Sequence, residues 1–315
     1  MKTVFTFRPP RSLQAQLIEK YPTVDFVFYK TIAEAEQLVD AEIIVTFGED
    51  LTPQHIEECE QLKWVMVASA GLEKMPLPAI KAKGILVTNA RGVHKIPMAE
   101  FTFGYLLNHV KRFPELRKLQ DEATWNKRLP IGELAGQTLL VLGTGAIGSE
   151  IARLATAFRM KTIGINRSGG AVEDFATVYQ MNELLTALSE ADFVVSILPS
   201  TNETKHLLKK EHFQAMKKTA AFINIGRGDL LEEQVLIEAL NEEEIAHAYL
   251  DVFVEEPLPE NHSFWSHEKV TVTPHISSIT PQYLPRVFEI FEYNLDQYLQ
   301  GYDTYKNKVE IDRGY

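Results

Sequence analysis

Gly143-Thr144-Gly145-Ala146-Ile147-Gly148 follows the apolar run Leu139-Leu140-Val141-Leu142 and opens a helical pattern that continues through Arg153 and Phe158. Few folds accommodate that arrangement. Glycines at the first, third and sixth positions allow a tight strand-to-helix turn and a close approach of backbone to a ligand. The start of the helix then presents unpaired N–H groups at the positive end of its dipole. In this strand–turn–helix setting the motif predicts a parallel βαβ unit. It binds the pyrophosphate of a dinucleotide at Gly143, Gly145, Ala146, Ile147 and Gly148. The competing reading, a merely tight turn, does not call for all three glycines in this setting.

The rest of the chain repeats the alternation. Short β-branched or aromatic runs at 24–28, 43–47, 64–69 and 85–88 are separated by helical patterns, one of them opening at Thr52-Pro53 with a cap residue and a first-turn proline. A second series runs from Thr138 to about Val272. Strands alternating with helices imply parallel sheets with crossover helices. Two complete series predict an α/β protein of two doubly wound parallel-sheet domains: a Rossmann cofactor domain and a flavodoxin-like substrate domain. The junction is placed at the helical pattern over about 97–112, where Pro97 suits a first turn.

Composition narrows the partners. The chain has 315 residues, 45% of them hydrophobic, which suffices for two cores, and a net charge of −11. That acidic balance argues against a nucleic-acid surface. No apolar run approaches the ~18 residues of a membrane span, and the apolar stretch at the N-terminus is too short for a signal peptide. The single cysteine, Cys59, excludes an internal disulfide and fits a reducing cytoplasm. It lacks a histidine motif that would make it a nucleophile, and no metal is expected.

Three polar residues follow apolar runs in the second half. Arg227 lies in Asn224-Ile225-Gly226-Arg227-Gly228, Glu256 precedes Pro257, and His275 lies in Thr273-Pro274-His275. Residues just past strand C-termini in an open α/β sheet face the ligand crevice. A guanidinium matches a carboxylate and an adjacent carbonyl oxygen, an imidazole exchanges a proton, and a carboxylate orients the imidazole. Together they suit the interconversion of a 2-oxo acid and a 2-hydroxy acid. Glu255 is the neighbour most easily confused with Glu256. The Ser69-Ala70-Gly71-Leu72 turn offers backbone N–H groups of Ala70, Gly71 and Leu72 to the substrate carboxylate, as an anion nest.

These segments, with Val67-Ala68-Ser69-Ala70-Gly71 and Leu198-Pro199-Ser200-Thr201-Asn202-Glu203-Thr204, occur in the order and at the spacing of one family over nearly the whole chain. The sequence resembles the D-isomer-specific 2-hydroxyacid dehydrogenases, which include glyoxylate/hydroxypyruvate reductases. The resemblance implies that Arg227, Glu256 and His275 are the catalytic trio, with Arg227 and His275 also touching substrate. It implies that Asp251 accepts from the nicotinamide carboxamide and that Leu198, Pro199 and Thr204 flank the adenine half. Ile225, Gly226, Ser277 and Met98 are further cofactor contacts by the same likeness. It also implies a discontinuous substrate-binding domain, 1–97 and 284–315, around a dinucleotide-binding domain, 98–283. A homodimer is expected through the helix near 97–112 and the following arm, including Trp125.

Cofactor choice turns on the strand Lys161-Thr162-Ile163-Gly164-Ile165. NAD-specific folds carry an acidic residue at the end of this strand, bonding the ribose 2′-OH. Here Asn166-Arg167-Ser168 stand there without an acid. NADP is therefore the expected preference, with NAD also accommodated if Arg167 only stacks on adenine. Glyoxylate or hydroxypyruvate is the expected substrate class, with bulkier 2-oxo acids as the second choice. Outside catalysis, the competing reading is a dinucleotide-sensing scaffold like the carboxyl-terminal binding protein co-repressors. The added interaction segments of such scaffolds are not recognisable here. A formate dehydrogenase would carry glutamine where Glu256 stands.

Overall fold

The computed structural model describes residues 1–311 except 37 and 73. The chain forms two compact units, Met1–Val93 with Thr280–Tyr315, and His94–Ile279. Residues 312–315, at the end of the expected substrate domain, lie outside the described residues.

The first unit is built on five parallel strands, β1 (Lys2–Phe5), β2 (Asp25–Phe28), β3 (Ile43–Thr46), β4 (Trp64–Val67) and β5 (Leu86–Asn89). Their order is β2-β1-β3-β4-β5, the flavodoxin-like order. Helices α1 (Arg11–Lys20), α2 (Pro53–Glu58) and α3 (Leu77–Ala82) connect them. The Thr52-Pro53 signal is realised: Thr52 Oγ1 accepts from His55 N at 3.3 Å and caps α2. Alternation along β4 separates two cores. Val65 and Val67 pack on one face with Ile44, Ile56 and Ile80, while Trp64 and Met66 pack on the other. The C-terminal helix Tyr283–Gln300 supplies Val287, Phe288, Phe291 and Leu295 to that second face. Trp64 stacks on Phe291 at 5.5 Å, and its indole N–H is satisfied by Thr88 Oγ1 at 2.9 Å.

The second unit begins with α4 (Lys95–Lys111) and α5 (Phe113–Asp121). The expected start at Pro97 falls two residues inside α4. This costs nothing, because N–H groups of the first turn have no intrahelical acceptor for proline to remove. Seven parallel strands follow: β6 (Thr138–Leu142), β7 (Lys161–Asn166), β8 (Thr177–Gln180), β9 (Phe193–Ser196), β10 (Ala221–Asn224), β11 (His247–Leu250) and β12 (Val270–Val272). The order is β12-β11-β10-β9-β6-β7-β8. The direction of winding reverses between β6 and β9, which is where doubly wound sheets bind ligands. Helices α6 (Ala146–Ala157), α7 (Leu184–Glu190), α8 (Lys210–Ala215) and α9 (Glu233–Asn241) complete the crossovers. Leu140 and Leu142 face one core, Leu139 and Val141 the other, so both faces of the sheet are covered. Both sheets are wholly parallel, as the alternating pattern predicts. Among the described residues no helix is long and apolar enough to cross a membrane.

Candidate active site

The glycine turn sits where β6 hands over to α6. Gly145 caps α6 with extended backbone and no side-chain bond, so the first N–H groups of the helix keep no protein acceptor of that kind. Gly145 and Ala146 are exposed. A Cβ at position 148 would lie 2.0 Å from the carbonyl oxygen of Gly143, so only glycine lets the helix close against the strand end. The resulting concave run of N–H groups fits a dinucleotide pyrophosphate. Across the switch point, Leu198 and Pro199 follow β9, and Thr204 is pinned beneath them, donating its hydroxyl to Pro199 O at 2.6 Å.

Asn166 has a role that the sequence pattern did not show. Its Oδ1 accepts from Gly169 N at 2.7 Å and Ser168 N at 3.1 Å, while Nδ2 donates to Thr144 Oγ1 at 3.1 Å and Gly170 O at 3.2 Å. Both ends of the carboxamide are thus spent on folding the loop and tying it to the glycine turn. Arg167 points outward and meets Glu203 at 3.4 Å.

At the other strand ends the polar residues are linked through backbone. Arg227 follows β10 and is exposed. Its Nη1 donates to Gly226 O at 2.7 Å, rather than to Glu256 or His275. A Cβ at position 228 would fall 2.0 Å from Phe253 C, so the Arg227 loop presses directly on the loop after β11. In that loop Phe253 N donates to Glu256 Oε1 at 2.9 Å. Glu256 Oε2 in turn meets His275 Nδ1 at 2.7 Å. Glu256, not Glu255, is therefore the histidine's partner, and the Nε2 of His275 has no protein partner among the described residues. The side chains of His275 and Glu256 are 45% and 35% exposed, so the pair is open to solvent and substrate. An apolar pocket of about 540 Å³, lined by Phe253, Leu258, Trp265, Val272 and Pro274, flanks the pair.

Asp251 braces the histidine loop. It is fully buried, and its carboxylate receives Thr273 Oγ1 at 2.5 Å, Ile276 N at 3.0 Å and Ser277 N at 2.9 Å. Thr273 also bonds the Tyr105 hydroxyl at 2.6 Å. Burial is the main influence on Tyr105 and pushes its phenol well above the usual range. The network thus runs from α4 through Thr273 and Asp251 to the segment that carries His275. Neither Thr273 nor Tyr105 carries a motif; only their distance from Asp251 in space reveals them. Ser277 and Ile225 are 2% exposed and Met98 9%, so little of these side chains is open to a ligand.

In the first unit, Ser69 Oγ donates to Phe47 O at 3.0 Å and Gly71 O at 3.1 Å, and Asn89 Nδ2 donates to Ala70 O at 3.0 Å. These bonds hold the turn while Ala70 and Gly71 stay exposed and Leu72 is buried. A pocket of about 530 Å³ lies over Phe47, Gly48, Glu49, Ser69, Gly71 and Lys74.

A seven-stranded doubly wound sheet with a glycine-rich phosphate turn and a histidine–carboxylate pair at its strand ends defines the class of dinucleotide-dependent dehydrogenases. Comparison with known proteins narrows the class. Residues 103–277 match the family described as D-isomer specific 2-hydroxyacid dehydrogenase, NAD binding domain. A glyoxylate reductase of Thermofilum pendens is 35% identical over 253 residues, covering 78% of this chain and 74% of the relative. The crystal structure of a D-isomer specific 2-hydroxyacid dehydrogenase family protein from Aeromonas salmonicida superposes with a TM-score of 0.83 at 30% identity, covering 99% of both chains. A D-isomer specific 2-hydroxyacid dehydrogenase from Xanthobacter autotrophicus, in complex with NADPH and MES, gives 0.79 at 26% identity over 100% of this chain and 99% of that one. The chain belongs to the D-isomer-specific 2-hydroxyacid dehydrogenase family, and it is an NAD(P)-dependent enzyme.

Proposed function

We propose that the protein reduces small 2-oxo acids, glyoxylate and hydroxypyruvate foremost, with NADPH preferred over NADH. The observation that carries the proposal is the 2.7 Å contact between His275 Nδ1 and Glu256, which leaves Nε2 for the substrate oxygen. A dinucleotide whose pyrophosphate is held by the glycine turn would supply the hydride from its nicotinamide. His275 donates the proton to the carbonyl oxygen as negative charge grows there, and accepts it in the reverse direction. Glu256 fixes the ring's tautomer and compensates the charge the imidazole carries. Arg227 pairs with the substrate carboxylate and its neighbouring carbonyl, in a fork that a lysine would not reproduce. Asp251, expected to meet the nicotinamide carboxamide, is fully buried and instead holds the loop and keeps Ser277 in register. Residues 98–283 form the cofactor-binding domain. Residues 1–97 and 284–315 form the substrate-binding domain, whose Ala70, Gly71 and Leu72 amides meet the carboxylate.

The preference for NADPH rests on Arg167 and Ser168 and on the missing acid at the end of β7, since the donors of Asn166 are already engaged. The NADPH complex of the Xanthobacter relative supports this choice. A small substrate agrees with the glyoxylate reductase relative. A homodimer through α4 and the arm around Trp125, itself 89% exposed, and a cytoplasmic location complete the proposal. Initial rates with NADPH and NADH against a panel of 2-oxo acids test it. Glyoxylate or hydroxypyruvate with NADPH should give the highest kcat/KM. A preference for NADH, or for branched and aromatic oxo acids, would refute that part.

A further inference from the structure

Two tight turns face each other at the end of the second unit's sheet, and each presents one charged side chain. The first turn is folded around Asn166 and carries Arg167. Asn166 Oδ1 gathers the N–H groups of Ser168 and Gly169, and Gln180 Nε2 ties down Ser168 O at 3.1 Å. The second turn is folded around Thr204 and carries Glu203. Thr204 Oγ1 accepts from Thr201 N at 2.9 Å and donates to Pro199 O at 2.6 Å, while Thr204 N donates to Thr201 O at 3.1 Å. Thr204 is 9% exposed, whereas the side chains of Arg167 and Glu203 are 83% and 76% exposed. The backbones are pinned by these bonds, while the two charged side chains project into solvent. They meet at 3.4 Å across 36 residues of sequence.

Resting on the reading that Arg167 receives the 2′-phosphate of NADPH, we propose that Glu203 is a specificity-determining residue that restrains this preference. The guanidinium is shared: a phosphate reaching Arg167 must displace the Glu203 carboxylate or sit beside it. A hydroxyl-bearing ribose carries no such charge and pays no such penalty. Glu203 therefore acts on NADPH and leaves NADH nearly untouched, which narrows the gap between the two cofactors. Because the pair is exposed, its own attraction is weak and screened by salt, so phosphate can displace it. The effect is a tuning of cofactor choice, not a block.

The test is Glu203→Gln, made on an exposed side chain that bears on no core. Dissociation constants for NADPH, NADH and adenosine 2′,5′-bisphosphate are measured by titration, beside catalytic efficiency, in the wild type, Glu203→Gln, Arg167→Ala and the double variant. Glu203→Gln should tighten NADPH and the bisphosphate about two- to fivefold at low salt and leave NADH unchanged within error. The gain should shrink at high salt and largely vanish in the Arg167→Ala background. Equal changes for NADPH and NADH, or no change in either, overturn the proposal. If Arg167→Ala weakens NADPH selectively while Glu203→Gln is silent, the role of Glu203 fails and the reading of Arg167 stands. If Arg167→Ala leaves the ratio of the two cofactors unchanged, both fail.

Discussion

Two histidines lie at opposite ends of neighbouring strands in the second unit, and their surroundings could hardly differ more. His275 follows β12, is 45% exposed and holds a carboxylate at 2.7 Å. His247 begins β11, is half-buried, and its Nε2 meets the Thr271 hydroxyl at 2.9 Å. Its neighbours are His109, at 6.1 Å between ring centres, and Tyr249. The pocket beside it, about 600 Å³, also takes in Arg112, Glu115, Lys218, Glu268 and Lys269. Burial first, then the charges of His109, Arg112 and His267, push His247 down to about 4. Burial, then Arg112, lowers His109 as well, with Glu115 opposing. On the proposed mechanism the first imidazole carries a proton in turnover, while its surroundings hold the second neutral. The difference follows strand direction: His275 lies past a strand's C-terminal end, whereas His247 lies at a strand's N-terminal end beside His109 of α4.

Beside the histidine itself, the largest effect should come from the ligand side of that comparison. Arg227→Ala removes the substrate's cation and should lower kcat/KM by about 10²-fold or more, from about 3–5 kcal/mol for breaking a desolvated ion pair. Steady-state kinetics with glyoxylate checks this; near-normal efficiency would remove Arg227 from the site.

A second change probes the brace between α4 and the strand ends that carry Asp251 and Thr273. Thr273→Val deletes the hydroxyl shared by Asp251 and Tyr105, leaving a buried carboxylate one donor short, at a cost of about 1–3 kcal/mol. The melting temperature should fall and kcat should drop several-fold, since the His275 loop loosens. Tyr105→Phe, which takes away only the outer member, should do less. Equal stability in wild type and Thr273→Val would show that the network is dispensable.

Acid stability sharpens the packed side. For a histidine held neutral in the fold, the unfolded chain binds the extra proton first. Stability is therefore full above the unfolded value near 6.5 and is lost as pH falls toward about 4. That loss is on the order of 2–3 kcal/mol. Denaturant midpoints between pH 7 and 4 should decline less steeply in His247→Gln than in the wild type. An identical slope would mean His247 does not titrate with unfolding.

The comparison also explains what the sequence made legible. The glycine turn, both strand series and the triplet Arg227, Glu256 and His275 carry local signals: spacing, flanking glycines and apolar runs that end in a polar residue. The strand orders 2-1-3-4-5 and, counted from β6, 3-2-1-4-5-6-7 are what alternating β and α segments build once each sheet must be covered on both faces. Other features were not legible because their causes are distant in the chain. Asn166 looks like a free donor until Thr144 and Gly170 are seen to occupy it. Arg167 looks like a lone cation until Glu203 comes beside it. Thr273 and Tyr105, 168 residues apart, have no pattern that joins them. The exact start of α4, Lys95, is not legible because Pro97 fits any position of the first turn.

The same substitution made at both ends of the sheet tests the account most directly. Turnover of glyoxylate with NADPH is measured for His275→Gln and His247→Gln beside the wild type, with NADPH affinity as control. His275→Gln should lose about 10²–10⁴-fold in kcat with affinity little changed, as expected when a positioned general acid is removed. His247→Gln, corrected for folded protein, should keep turnover within a few-fold. Retained turnover in His275→Gln, or an equal loss in both variants, would contradict the assignment of the proton to the exposed, carboxylate-paired imidazole.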